Sequence, residues 1–173
     1  MNANLITGLD HPSELCIDST GSDLFVVNDY SGTVGEYTTS GAVVNASLIS
    51  GLIIPSNLAL SGSNLFVSSL NSATIGEYTT SGAVVNASLI SGLPGSGEGL
   101  FVFGSDLFVS TYTTGIISEY TTSGELVNAS LVSGLSNPAD IIVTPEPASA
   151  ALIAAAGLGL LLRRSRRSRV FIA

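Results

Sequence analysis

Glu14, Asn57, Glu98 and Asp140 stand 43, 41 and 42 residues apart, and each carries a side-chain oxygen just ahead of an apolar stretch. Three carboxylates and one carboxamide form a hard donor set. Brought to one centre, with waters completing six to eight ligands, they suit calcium better than a transition metal. Two carboxylates about 6 Å apart repel by roughly 3 kcal/mol at an effective dielectric of 20, so a convergent cluster must take up a proton or a cation.

The other reactive groups are sparse. His11, the single histidine, sits in Asp10-His11-Pro12-Ser13, a turn before a strand, with no Ser-His-acid arrangement around it. Cys16 is the single cysteine; between Leu15 and Ile17 it reads as a structural thiol on a strand, without a lipid-attachment box. Zinc-type spacings and phosphate-cradling loops are absent, and Gly-Ser-Gly-Glu-Gly at 95–99 reads as a turn leading into a strand. Glu36, Glu77 and Glu119 recur beside Tyr37, Tyr78 and Tyr120. Such repetition suits a structural or surface role, because a catalytic acid and base need different environments.

The four oxygen-bearing residues can meet only if the elements carrying them surround a common axis, and the sequence is built for that. GEYTTSGAVVNASLISGL occurs at 35–52 and again at 76–93, and 118–135 keeps fourteen of its eighteen letters. A period in the low forties denotes propeller blades or solenoid coils. Each period holds four strand-like pieces; in the second copy they are SNLALSG, NLFVSSL, TIGEYTT and AVVNASLI. Between the last two, Ser81-Gly82 supplies the positive φ of a hairpin. Asn45, Asn86 and Asn128, in Asn-Ala-Ser, mark outer-strand positions.

The expected fold is therefore all-β: a propeller-like array of four-stranded antiparallel blades occupying 1–143, with a β-solenoid as the alternative. Three blades are complete. A piece at each end, Ala-Asn-Leu-Ile-Thr (3–7) as an outermost strand and Ala-Asp-Ile-Ile-Val (139–143) as an innermost one, makes two half-blade strands. Inner strands line the axial channel and begin at one mouth, where Glu14, Asn57, Glu98 and Asp140 would converge. The line PSNLALSGSNLFVSSLNSATIGEY, at 55–78, also resembles the NHL-type propeller repeat, a resemblance that runs loosely from 12 to 143.

Charge narrows the partners. The 173 residues include thirteen carboxylates and five cationic side chains, and Arg163, Arg164, Arg166, Arg167 and Arg169 are all five. Residues 1–162 thus repel phosphate backbones and anionic head groups, which excludes nucleic acid and favours a neutral or cationic partner. Ahead of the arginines lies an uncharged run, 148–162, whose fifteen residues span roughly 22 Å as a helix against a bilayer core of about 30 Å. A short span with snorkelling arginines retained on the cytoplasmic side fits that pattern.

Pro145-Glu146-Pro147, the apolar segment 148–162 and the arginine cluster 163–169 stand in the order of the PEP-CTERM sorting signal of Gram-negative bacteria, which the tail 144–173 closely resembles. The resemblance implies recognition of Pro145-Glu146-Pro147 by an exosortase, transient anchoring in the inner membrane by a C-terminal helix, and cleavage near the proline-flanked glutamate. Delivery to the cell surface or extracellular matrix would follow. Val170-Phe171-Ile172-Ala173 extend past the point where such tails usually stop. An exported protein also needs a leader, and MNANLITGLDHPSELCID has neither a cationic nor an apolar leader region. The expectation is an open upstream frame encoding a signal peptide and further repeats.

The residues thus describe a secreted, exosortase-sorted surface or matrix repeat protein with a binding or scaffold role, its partner an exopolysaccharide or a surface protein. It is not expected to be an enzyme, and no cofactor is implied beyond the calcium such a mouth would take. The alternative is a calcium-dependent propeller hydrolase of the lactonase kind, working through Glu14 and Glu98.

Overall fold

The structure, a computed structural model, describes residues 4–144 and 169–171. Three contiguous stretches each fold into a four-stranded antiparallel sheet whose strands lie side by side in chain order. The first blade comprises β1 (Pro12–Ile17), β2 (Asp23–Asn28), β3 (Thr33–Thr38) and β4 (Val43–Ile49). The second comprises β5 (Pro55–Ser61), β6 (Asn64–Ser69), β7 (Thr74–Thr79) and β8 (Val84–Ile90). The third comprises β9 (Gly97–Phe103), β10 (Asp106–Thr111), β11 (Ile116–Thr121) and β12 (Leu126–Val132). A separate pair, β13 (Ile142–Thr144) and β14 (Arg169–Phe171), is also antiparallel. One closed-off meander per repeat is blade architecture, and it rules out the solenoid alternative, in which each repeat would add strands to continuous stacked sheets.

The sequence of the second strands explains the packing. Asp-Leu-Phe-Val-Val-Asn, Asn-Leu-Phe-Val-Ser-Ser and Asp-Leu-Phe-Val-Ser-Thr are nearly continuous apolar runs because a strand inside a stack of blades is covered on both faces. Side chains alternate between those faces. Phe25, Val27, Val34 and Ile49, on the rear of the first blade, pack against Leu58, Leu65, Val67 and Tyr78 on the front of the second. Phe66, Ile75 and Ile90 behind the second blade meet Leu100, Leu107, Val109 and Tyr120 of the third. Behind the third, Phe108 and Ile117 are closed by Ile141, so the chain next to β13 sits where a fourth blade's inner strand would lie. Each fully buried leucine, valine or phenylalanine here stabilises by roughly 1.5–3 kcal/mol.

The outer strands β4, β8 and β12 are exposed along most of their length. Asn45, Asn86 and Asn128 each accept the amide of the serine two residues on, at 3.0–3.1 Å, which shifts the register beside Glu36, Glu77 and Glu119. The turn into β8 shows why glycine is required there. Gly82 has φ +86°, and a Cβ on it would stand 2.4 Å from the carbonyl oxygen of Leu48 in the blade before. Gly124 faces Leu89 in the same way, and Gly41 faces Leu5. Residues 4–7 form no strand, contrary to the outermost strand expected at 3–7, because no sheet lies beside them to pair with. Leu5 nevertheless passes where Leu48 and Leu89 pass in their own blades.

The expected C-terminal helix, 148–162, the proline-flanked Glu146 and the arginines 163–168 lie outside the described residues. Arg169 falls in β14, opposite Thr144. No helix among the described residues is long and apolar enough to cross a membrane.

Candidate binding site at the blade mouth

Each inner strand opens with a bulge that decides which side chains reach the channel. Pro12 pairs with Asn28 and Glu14 with Val27, skipping Ser13; Pro55 pairs with Ser69 and Asn57 with Ser68, skipping Ser56. In the third blade Gly97 pairs with Thr111 and Gly99 with Ser110, so the skipped residue is Glu98. The register equivalent of Glu14 and Asn57 is therefore Gly99, and the 41-residue step from Asn57 to Glu98 falls one residue short of it. Only the backbone of Glu98 is described. A Cβ at Gly99 would stand 2.7 Å from Ser110 Oγ, 3.0 Å from Asp140 Cα and 3.1 Å from the Ala139 carbonyl, which is why this blade carries no side chain there.

What Glu14 and Asn57 do is visible atom by atom. The buried Asn57 donates from Nδ2 to Glu14 Oε2 of the first blade at 3.2 Å, and its Oδ1 accepts the amide of Leu100 in the third blade at 3.0 Å. The same Oδ1 accepts the Leu58 amide at 3.0 Å. Asn57 thus ties three inner strands together. Glu14 Oε1 accepts the following amide, Leu15, at 3.0 Å, and Asp140 Oδ1 accepts that of Ile141 at 2.7 Å. Of these channel-side amides those of Leu58 and Leu100 are buried, and a buried amide left unpaired costs about 1–3 kcal/mol. The oxygen at this register position satisfies them.

The bulge amides are met from the second strand. Ser68 Oγ accepts the Asn57 amide at 3.1 Å, and Ser110 Oγ accepts that of Gly99 at 2.9 Å. Both serines are fully buried, and Val27 stands at their place in the first blade. Among the described residues, no three His, Cys, Asp or Glu side chains are grouped so as to hold a metal ion. Cys16 lies half-buried on β1, and burial, then the nearby Glu14 charge, pushes its thiol up to about 12. Such a thiol is inert as a nucleophile at neutral pH.

The repeated glutamates are paired one strand over. Glu77 is buried and accepts from Asn64 Nδ2 at 2.8 Å. Asp23 and Asp106 occupy the place of Asn64 in the other blades, and burial, then that neighbouring charge, raises Glu36 and Glu119 above the ordinary carboxylate value.

A cleft of about 440 Å³ opens between the first two blades at the mouth, lined by Asp29, Tyr30, Ser31 and Gly32 from the β2–β3 turn and by Leu52, Ile53 and Ile54 leading into β5. The Leu52 amide bonds the Gly32 carbonyl at 3.0 Å and joins the two walls. Ile54, β-branched and preceding a proline, is held at φ +47°, a strained conformation worth about 1–3 kcal/mol. Tyr30 is exposed and stacks on His11 with ring centroids 4.2 Å apart and planes 2° from parallel, while His11 Nδ1 lies 3.7 Å from Asp29 Oδ2. This cluster was not singled out from the sequence. Its signal is a departure from the repeat: Tyr30 stands where the second and third blades have Asn71 and Thr113.

The sequence matches no protein-family model and no curated protein. Solved structures do match, and they are β-propeller-like folds. Hydrazine synthase of Kuenenia stuttgartiensis superposes with a TM-score of 0.68 at 17% identity over 84% of this chain and 42% of that one. The nidogen/laminin complex gives 0.65 at 13% identity, over 75% of this chain and 51% of that one. A gluconolactonase of Xanthomonas campestris, XC5397, gives 0.51 at 17% identity, over 61% and 36% respectively. The chain thus spans about half or less of each of these chains. At such identities the likeness defines the fold: a propeller-like arc of three blades.

Proposed function

We propose that this chain is an exported, exosortase-sorted repeat protein of the bacterial surface or extracellular matrix, with a non-enzymatic binding or scaffold role. The observation that carries the binding reading is how the polar groups are employed. Glu14, Asn57 and Asp140 are occupied with inner-strand amides, whereas the chemistry left facing solvent is the Tyr30–His11 stack beside an open cleft. An exposed aromatic face with a carboxylate, a hydroxyl and an apolar wall suits a neutral glycan or a protein loop, and the acidic body disfavours an anionic one. The sorting reading rests on the order of Pro145-Glu146-Pro147, apolar segment and arginines. It makes an exosortase and, before processing, the membrane the first partners.

Two measurements test this. In a host with an exosortase, intact-mass analysis of surface-extracted protein is expected to show loss of the arginine tail, and alanines at Pro145, Glu146 and Pro147 are expected to abolish sorting. Retention of the arginines on the mature chain overturns the sorting reading. Tyr30→Ala is expected to abolish retention on the host's exopolysaccharide or surface while leaving the circular dichroism unchanged; undiminished retention overturns the cleft reading. The alternative, a calcium-dependent hydrolase, draws only on the fold shared with the gluconolactonase. Calorimetric calcium binding together with lactone hydrolysis lost in Glu14→Gln would establish it in place of the binding role.

A further inference from the structure

Among the three blades, only the first sets a carboxylate beside an exposed ring at its mouth. Asp29 and Tyr30 open the β2–β3 turn, and at their places the second blade has Leu70 and Asn71 and the third Tyr112 and Thr113. One face of the Tyr30 ring is taken by His11, yet the residue is 74% exposed, so the other face is free. Asp29 and Tyr30 both line the cleft, whose opposite wall is Leu52, Ile53 and Ile54, and Ile53 is itself exposed. The whole lining belongs to the first two blades. Around it, residues 1–144 carry twelve of the thirteen carboxylates, all but Glu146, and no lysine or arginine.

We propose that this cleft takes an arginine side chain from a loop of a partner protein. The inference rests on the cleft being the binding surface, and it names what that surface selects. A neutral ligand would use the ring and the apolar wall but leave the charge of Asp29 unanswered, since His11 Nδ1, 3.7 Å from Asp29 Oδ2, is charged only when the histidine is protonated. A guanidinium uses all three features. Its plane stacks on an aromatic face, its fork of N–H donors matches a carboxylate, and its methylene stem lies along apolar side chains. The Asp29 side chain is only 20% exposed, so its pull is less screened than that of a carboxylate in open water. Lysine gains less here, because its ammonium is a strongly hydrated point charge that neither stacks nor forks. The uniformly acidic body draws a basic partner in and repels an acidic one.

The test is an NMR titration of the labelled full chain, in a mild non-ionic detergent that solvates the apolar segment 148–162. The probes are the capped tripeptide acetyl-Gly-Arg-Gly-amide, its lysine counterpart, its citrulline counterpart, which is the neutral isostere, and a neutral oligosaccharide. The arginine peptide is expected to shift the amide signals of Asp29, Tyr30 and Ile53, and the citrulline peptide to bind about fivefold or more weakly. Asp29→Asn should weaken the arginine peptide by about fivefold and Tyr30→Leu by about threefold, with unchanged circular dichroism. Equal binding of the arginine and citrulline peptides overturns the proposal. Shifts caused by the oligosaccharide and not by the arginine peptide also overturn it, while leaving the cleft as a binding surface. If no probe moves these signals and Tyr30→Ala is still retained on the host surface, both readings fall. Replacing the five arginines of 163–169 by glutamine should leave the Tyr30 signal in place; a shift without added peptide would assign the cleft to the chain's own tail and overturn the proposal.

Discussion

Replacing Asp23 and Asp106 by asparagine should stabilise the protein, and the second blade already shows how. There Asn64 donates to Glu77 at 2.8 Å, whereas the first and third blades set a carboxylate against Glu36 and Glu119 and leave both raised above the ordinary value. A carboxyl whose pKa is higher folded than unfolded binds more protons in the folded state. Its stabilising contribution is therefore full below the unfolded value and lost as pH rises through the folded one. Burial, then the repulsion of Asp23 on Glu36 and of Asp106 on Glu119, disfavours the ionised glutamates, and no lysine or arginine within residues 1–162 relieves them. A hydrogen bond to a charged acceptor is worth about 1.5–3 kcal/mol, and partial exposure reduces it, so each substitution should gain about 1 kcal/mol at pH 7. Urea unfolding of the single and double variants at pH 7 and pH 3 measures this. The gain should shrink toward zero at pH 3, where the glutamates are protonated in both states. The converse change, Asn64→Asp, should cost about 1–3 kcal/mol at pH 7 because Glu77 is buried. Equal gains at both pH values, or a neutral Asn64→Asp, would refute the reasoning.

Asn57→Leu should destabilise by about 1–3 kcal/mol, since the Leu100 amide and Glu14 lose their partner, and hydrogen exchange at Leu100 should accelerate more than the global loss predicts. Gly82→Ala should cost about 2 kcal/mol or more through its positive φ and the Leu48 carbonyl, while Gly62→Ala, at φ +58° with nothing within 4 Å, should cost less; urea midpoints compare the two. The Cys16 thiol, raised to about 12, should react with a disulfide reagent at pH 8 far more slowly in the native than in the unfolded protein, and equal rates would contradict its burial.

The blades were legible because their causes are local and recur. Leu-Phe-Val runs need two covered faces, Ser81-Gly82 needs a turn, and a repeat in the low forties needs four strands, so β5 to β8 fall where the letters put them. The mouth was less legible because the connection into β9 is one residue longer than its counterpart into β5: Asn45 to Asn57 is 12 residues, and Asn86 to Gly99 is 13. All three inner strands carry the same bulge, so counting by period from the outer strand stops one residue short in the third blade alone and puts the wrong side chain on the channel face. That single residue exchanges Glu98 for Gly99, and the channel loses a carboxylate at that register. The glycine in turn lets Asp140 and Ala139 approach closely. Symmetry also directs attention to the residues that repeat, and these are the ones the stacking itself requires, as the bonds of Asn57 to two other blades show. A ligand meets an arc of near-identical blades mainly through what breaks the repeat. Tyr30, stacked on His11 where the other blades have Asn71 and Thr113, is such a break, so recognition should be sought in the differences between blades, once the register has shown which residues correspond.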